Sequence, residues 1–260
     1  MSGPAPAGRT VPVNDLPAHD GITRDLAVPG CVLAIGAHPD DIEFGCGGTL
    51  AKWAAGGAVI HHLVLTDGAK GSWDPDHEHH ALVAQRQSEQ RTAARVLGGG
   101  DVTFLGRTDG ELCNGQRERS EVSRHIRHIR PDVVLGHDPW RRYRLHPDHR
   151  HAGFIVTDSI VAARDPHFFP EHGLAPHRPH ALLLWEADEP NHVEDVAAVV
   201  ETKIAALLAH ESQLRSTMGI EEGRPDETEA FSARVRRQLG QHGALAALAY
   251  GESFHLLTEL

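Results

Sequence analysis

Short apolar runs alternate with longer amphipathic segments along most of the chain, which predicts alternating strands and helices. The first run, residues 31–37, contains only small and apolar residues, as in a strand that is covered on both faces. Further strands are predicted at 58–66, 102–105, 132–136 and 181–186. Helices are predicted at 47–56, 80–97, 117–130, 151–164, 192–214 and 228–249. This order of elements predicts an α/β fold, a three-layer sandwich with a mostly parallel sheet.

Two polar clusters follow predicted strands. The first, residues 38–43, reads His-Pro-Asp-Asp-Ile-Glu, and the second, residues 137–150, includes His146 and His149. Three carboxylates and an imidazole within six residues would repel one another and lose solvation if they were packed together without a cation. Because ligands of α/β sheets bind beyond the carboxyl ends of the strands, we expect the two clusters to form one site around a divalent metal.

The expected metal ligands are His38, Asp41 and His149. Two nitrogens and one carboxylate, with a position left open to water, are typical of a catalytic zinc site, although other divalent metals could bind the same set. Asp40 lies beside a ligand and would be free to take a proton from the water that the metal activates. His146, three residues before His149, is expected to donate a proton to the leaving group.

Two other motifs have a simpler structural interpretation. The glycines at 45, 47 and 48 resemble a dinucleotide-binding loop, but such a loop needs its glycines directly after the strand, where residues 38–44 stand. Close packing of a helix explains these glycines better. The His-Glu-His-His sequence at 77–80 lacks the spacing of a zincin and is expected to be a solvated helix start.

Composition restricts the class of protein and its partners. A chain of 260 residues with 40% hydrophobic and 23% charged residues predicts a single domain, residues 30–260, after a Pro-, Gly- and Ala-rich N-terminal arm, residues 1–29. The net charge of −11 argues against nucleic acid as a partner. Three cysteines without a Cys-x-x-Cys pair, no signal-peptide core and no membrane span predict a cytoplasmic protein. A homo-oligomer is compatible with the sequence.

The sequence Ala37-His38-Pro39-Asp40-Asp41, together with His146-Pro147-Asp148-His149, resembles the PIG-L (LmbE-like) zinc-dependent N-deacetylases. Weaker similarities at 65–68, 86–98, 104–110 and 203–213 extend the resemblance over about residues 30–215. The resemblance implies a Rossmann-like fold with zinc on His38, Asp41 and His149. It also implies that Asp40 is the general base and that His146 is an electrostatic or general acid partner.

The resemblance further implies that Arg86 and Asp109 face the hydroxyls of a sugar. In some members of the family a tyrosine stands where this chain has Arg144, and the basic loop at 140–144 suggests contact with an anionic part of the substrate. Glu43 and Asp148 are expected to support the site from behind, with Glu43 orienting a metal-bound histidine.

The expected function is removal of an acetyl or acyl group from an N-acetylglucosamine-type amino sugar on a larger aglycone. One alternative is cleavage of a larger amide conjugate, as in the mycothiol-conjugate amidases of the same family. A second alternative, from another class, is a metal-dependent or sugar-binding module without turnover. Asp40 and His146 argue against that module, since a binding protein has no use for a base beside its metal.

Overall fold

The computed structural model describes residues 21–260, so that most of the predicted N-terminal arm lies outside the described residues. The strands are β1 (Thr23–Arg24), β2 (Cys31–Gly36), β3 (Val59–Thr66), β4 (Asp101–Arg107), β5 (Val133–His137), β6 (Ala181–Trp185), β7 (His192–Asp195) and β8 (Gly251–Leu257). The α-helices are α1 (Asp41–Ala55), α2 (His79–Val96), α3 (Gln116–Ile129), α4 (Pro147–Arg164), α5 (Val200–Leu208) and α6 (Pro225–Ala244).

The strands form one sheet in the order β1-β7-β8-β6-β5-β2-β3-β4. All neighbours are parallel except β8, which runs antiparallel to both β6 and β7. The predicted α/β fold with a mostly parallel sheet is confirmed. Because β2 lies between β3 and β5, the chain changes direction across the sheet there, which opens a crevice at the carboxyl ends of β2 and β5.

Helices cover both faces of the sheet, and this explains the unbroken apolar run in β2. Val32 and Ala34 pack in the core beneath α1 and α2, whereas Leu33 and Ile35 pack in the core beneath α3 and α4. A third apolar cluster joins α5 to α6 and includes Leu207. The apolar clusters on the two faces of the sheet therefore fix the position of the strands whose ends carry the polar clusters.

The prediction of a helix over 192–214 is wrong in its first part. His192–Asp195 is the strand β7, because its backbone pairs with β1 on one side and with β8 on the other. Neither β7 nor β8 is predicted from the sequence, since both depend on pairing with distant strands. Regular α-helix is confined to Val200–Leu208 in this stretch and is followed by short 3-10 and π turns.

Helix α1 begins at Asp41 rather than at residue 47 as predicted, and it kinks at Cys46, which has φ −147° and ψ 17°. After the kink, the amides of Gly48 and Thr49 donate to the carboxylate of Glu252 at 2.8 and 2.7 Å. An acidic side chain from β8 thus caps the second segment of α1. The first segment brings Asp41 to the end of β2.

The end of the predicted N-terminal arm joins the sheet. Thr23–Arg24 pairs with β7 as β1, and Leu26 is buried in the core beneath α1. Lys52 of α1 forms ion pairs with Asp25 and with buried Glu194 of β7. Residues 23–26 therefore belong to the folded domain.

The thiols of Cys31, Cys46 and Cys113 are unpaired. No described helix is both long and apolar enough to cross a bilayer. A cytoplasmic location stays a prediction.

His62 of β3 is a buried histidine for which the structure predicts a pH-dependent loss of stability. It is 1% exposed, and neither ring nitrogen makes a hydrogen bond of normal geometry within the described chain. Burial lowers the pKa of His62, although Glu43 acts in the opposite direction. The folded protein therefore keeps this ring neutral to a lower pH than the unfolded chain does, which takes up a proton below about pH 6.5.

As the pH falls below that value, the unfolded state binds a proton that the folded state does not, and folding weakens by up to about 1.4 kcal/mol per pH unit. We expect His62→Leu to lose less thermal stability than the wild type when the pH is lowered from about 7.5 to about 5.5. A difference of about 2–4 °C per kcal/mol is measurable in a melting curve. The control is His61→Leu on the same strand, and equal pH dependence in all three proteins would refute the prediction.

Candidate active site

A cavity of about 540 Å³ opens at the carboxyl ends of β2 and β5. Its far wall is helix α6, which contributes Phe231 and Arg234. Seven of the residues predicted for the site line it: His38, Asp40, Asp41, Arg86, Asp109, His146 and His149. The two polar clusters thus form one site, as expected from the ends of neighbouring parallel strands.

The three predicted ligands converge on one point. His38 Nδ1 lies 3.2 Å from His149 Nε2 and 3.3 Å from a carboxylate oxygen of Asp41. The other carboxylate oxygen of Asp41 is 3.1 Å from His149 Nε2. Ligand atoms about 2.0–2.2 Å from a tetrahedral zinc ion are about 3.3–3.5 Å apart. The spacing and the chemistry of this donor set therefore fit such an ion.

The surroundings of His38 determine which of its nitrogens faces the cluster. Its Nε2 lies 3.3 Å from Asp109 Oδ1 and 3.2 Å from Asp148 Oδ2. Ionised carboxylates only accept hydrogen bonds, so a neutral His38 carries its proton on Nε2 and has its lone pair on Nδ1. Asp148 is itself fixed by the amides of Gly110 and Leu112, at 2.6 and 3.2 Å. This arrangement of carboxylate and imidazole is common behind protein metal sites.

Asp40 is the N-cap of α1 and has a φ of 99°, a left-handed conformation that is uncommon outside glycine. The side chain of Gln90 accepts a hydrogen bond from the Asp40 amide at 3.0 Å. Arg86 donates to the carbonyl oxygen of Pro39 at 2.6 Å. Burial, opposed by the charge of Arg86 and reinforced by that of Asp41, raises the pKa of Asp40 to about 6. A carboxylate with this pKa can accept a proton near neutral pH.

Glu43 supports the site in a different way from the one predicted. Its carboxylate is completely buried and accepts hydrogen bonds from Gln90 Nε2 at 2.7 Å and from His210 Nε2, when that nitrogen is protonated, at 3.3 Å. Glu43 therefore acts on Asp40 through Gln90 and does not orient His38. The carboxylates beside His38 are those of Asp109 and Asp148, which corrects the prediction.

His146 is the N-cap residue of α4, and its Nδ1 accepts the amide hydrogen of Asp148 at 3.3 Å. Its ring centroid is 4.7 Å from that of His38 and 4.9 Å from that of His149. Burial and the charges of these two histidines lower the pKa of His146. A neutral His146 therefore carries its proton on Nε2, which makes that nitrogen a hydrogen-bond donor.

Arg86 and Asp109 both line the cavity, and protein groups already engage them. Besides its bond to Pro39, Arg86 donates to the carbonyl oxygen of Gly68 at 2.8 Å. Asp109 Oδ2 accepts the amide hydrogen of Lys70 at 3.0 Å. Burial raises the pKa of Asp109, but the hydrogen bond and charge of His38 outweigh it and bring the pKa to about 2. Contact of Arg86 and Asp109 with sugar hydroxyls stays a prediction.

Arg144 is not among the described residues that line the cavity, so its contact with substrate stays a prediction. Its guanidinium is paired with Glu186 and donates to His137 Nδ1 at 2.9 Å. Tyr143 is 87% exposed, and Tyr250 packs in the apolar cluster of α5 and α6. Neither tyrosine of the chain therefore lines the cavity.

His137 and Trp185, two cavity-lining residues at the ends of strands, are not predicted from the sequence. His137 is the last residue of β5, and its Nε2 lies 3.2 Å from Asp41 Oδ2. Trp185 is the last residue of β6, and a Cβ atom at Gly45 would lie 2.5 Å from its ring. That glycine therefore allows close packing, as predicted. The sequence did contain one sign of His137, since this histidine stands at the end of a predicted buried strand.

Comparison with known proteins places these features in a family. A family model described as PIG-L, GlcNAc-PI de-N-acetylase, matches residues 33–160, which include both motifs. The diacetylchitobiose deacetylase of Thermococcus kodakarensis is 38% identical over 185 residues, covering 70% of this chain and 69% of that protein. The chain belongs to the PIG-L family. The family predicted from the two motifs is thus confirmed.

Two further relatives of this PIG-L chain are also named as deacetylases. The 1D-myo-inositol 2-acetamido-2-deoxy-alpha-D-glucopyranoside deacetylase of Streptomyces avermitilis is 32% identical, and the match spans 55% of this chain and 56% of that protein. The structure of N,N'-diacetylchitobiose deacetylase from Pyrococcus horikoshii superimposes with a TM-score of 0.80 and 30% identity, covering 88% of this chain and 84% of that one.

Proposed function

We propose that the protein is a metal-dependent N-deacetylase that removes an acetyl group from an N-acetylglucosamine-type sugar on a larger aglycone. The observation that carries the proposal is the cluster of His38 Nδ1, Asp41 and His149 Nε2, whose atoms lie 3.1–3.3 Å apart with Asp40 beside them. The names of the relatives support the substrate class. The cavity volume is within the range of small-molecule sites, roughly 300–1,000 Å³.

We infer that zinc is the metal and that His38, Asp41 and His149 hold it. A bound zinc ion would polarise the amide carbonyl and lower the pKa of its water to about 7. The same donor set can bind other divalent ions, so metal analysis of the purified protein has to identify the native one.

The chain's own residues would handle the protons. Asp40, ionised near neutral pH, accepts a proton from the water that attacks the amide carbon. His146 donates a hydrogen bond from Nε2 to the oxygen that becomes negatively charged. When the carbon–nitrogen bond breaks, the proton held by Asp40 is available to the departing amine. The hydrogen bond that the Asp40 amide donates to Gln90 Oε1 keeps Asp40 in its left-handed turn.

A panel of N-acetylglucosaminyl compounds, including diacetylchitobiose and the inositol conjugate, tests the proposal. We expect release of one acetate and one free amine per turnover, seen as loss of a single acetyl group in the product mass. Loss of a larger acyl group would favour the conjugate-amidase alternative. Binding of the sugar without any product would favour the non-catalytic module and contradict the proposal.

A further inference from the structure

We propose that His137 positions Asp41 for metal binding without binding the metal itself, and that Trp185 and Arg144 in turn fix His137. The inference rests on the proposed function, because it takes Asp41 as a metal ligand. His137 is 1% exposed and ends β5, and the pairing of β5 with β6 places Trp185 directly beside it. Its ring also stacks on that of His149, with centroids 4.5 Å apart.

Two donors at Nδ1 determine the tautomer of His137. The indole Nε1 of Trp185 lies 3.0 Å from this nitrogen, and Nη2 of Arg144 lies 2.9 Å from it. Neither an indole nor a guanidinium can accept a hydrogen bond, so Nδ1 is the unprotonated nitrogen. Nε2 then carries the hydrogen and donates it to Asp41 Oδ2 at 3.2 Å. The amide of Ala37 also points at Nε2 but is farther away, at 3.4 Å.

This hydrogen bond separates the roles of the two carboxylate oxygens of Asp41. Oδ2 accepts from His137 and also from the backbone amide of His38, at 2.7 Å. Oδ1 faces His149 Nε2 at 3.1 Å. Oδ2 also lies 3.3 Å from His38 Nδ1, but because two donors already engage it, Oδ1 would be the oxygen that is free to bind a metal. His137 therefore holds the carboxylate in an orientation that favours binding through one oxygen.

The same contacts argue against His137 as a ligand, although His137, Asp41 and His149 lie close enough together to surround an ion. A metal binds only an unprotonated ring nitrogen. If Nε2 of His137 bound the metal, the proton of the neutral ring would move to Nδ1, where it would meet the hydrogens of Trp185 and Arg144. His38 has no such conflict, because its Nε2 faces the carboxylates of Asp109 and Asp148.

The test is the affinity of the chelator-stripped protein for zinc ion, measured by competition with a chromophoric chelator. We expect His137→Phe to weaken zinc binding by about 10- to 100-fold, the usual effect of losing a partner behind a metal ligand. Trp185→Phe removes one donor at Nδ1 and should weaken binding less. His149→Phe provides the loss expected for a true ligand, and His61→Phe on β3 should bind zinc like the wild type.

Wild-type affinity in His137→Phe would overturn the inference and leave the proposed function intact. A loss as large as that of His149→Phe would also overturn it, because His137 would then be a ligand. Failure of the wild type to bind zinc would overturn the proposed function as well. A measurement on the folded, metal-free wild type does not depend on any variant's stability: nitrogen-15 NMR of the histidine rings should show His137 protonated on Nε2, and protonation on Nδ1 would refute the inference.

Discussion

Asp40→Asn is expected to lower kcat by about 10²–10⁴-fold while the protein keeps its metal, because an amide cannot accept the proton of the attacking water. The substitution preserves the backbone, since asparagine tolerates the left-handed conformation that Asp40 adopts with a φ of 99°. The side chain keeps nearly the same size and still reaches Arg86. The effect should therefore appear in turnover rather than in folding or metal content.

Three measurements define that result: kcat on an N-acetylglucosaminyl substrate, metal bound per chain, and melting temperature. The control is Asp101→Asn, the same chemical change at an exposed position at the start of β4, and it should match the wild type in all three. Substantial turnover by Asp40→Asn with metal still bound would show that another group is the base.

Gln90→Met is expected to lower kcat by about 10- to 100-fold, because it removes the acceptor that holds the Asp40 amide in its unusual turn. Misplacement of a catalytic group by about 1 Å can cost on the order of 10²-fold in rate. Methionine has a similar length and suits a buried position, and Gln90 is fully buried. Gln90 makes no hydrogen bond to the side chains of His38, Asp41 or His149. Metal content and KM should therefore change little.

Gln87→Met on the same helix serves as the control, because its side chain is only partly buried and lies outside the cavity. Gln90→Glu gives a second comparison. Its carboxylate can still accept from the Asp40 amide, but it faces the carboxylate of Glu43, which accepts from Gln90 at 2.7 Å in the wild type. Wild-type kcat in a folded Gln90→Met would refute this role.

The sheet and the convergence of His38, Asp41 and His149 could be predicted because both depend on local patterns. The apolar run of β2 stops at His38 and Asp41, and the run of β5 is followed by His149, so parallel pairing alone brings these side chains to one edge. The glycine at 45 is likewise recognisable as a packing position. Polar residues that follow a buried strand can be recognised from the sequence alone.

The parts that could not be predicted depend on distant partners. β7 has helical spacing in the sequence, but β8 supplies a pairing edge that turns it into a strand. Glu43 stands in the first motif, yet its partners Gln90 and His210 come from a helix and a turn far along the chain. The position of His137 at the end of a buried strand was visible in the sequence, but its orientation depends on donors from β6 and from the loop before α4.

The most direct test of the central claim compares amine release from an N-acetylglucosaminyl disaccharide before chelation, after chelation, and after return of one equivalent of zinc. We expect the chelated protein to lose its activity and the zinc-loaded protein to regain it, with one acetate released per amine. Undiminished release by the metal-free protein would contradict the claim. So would the absence of release from every N-acetylglucosaminyl compound by the zinc-loaded protein.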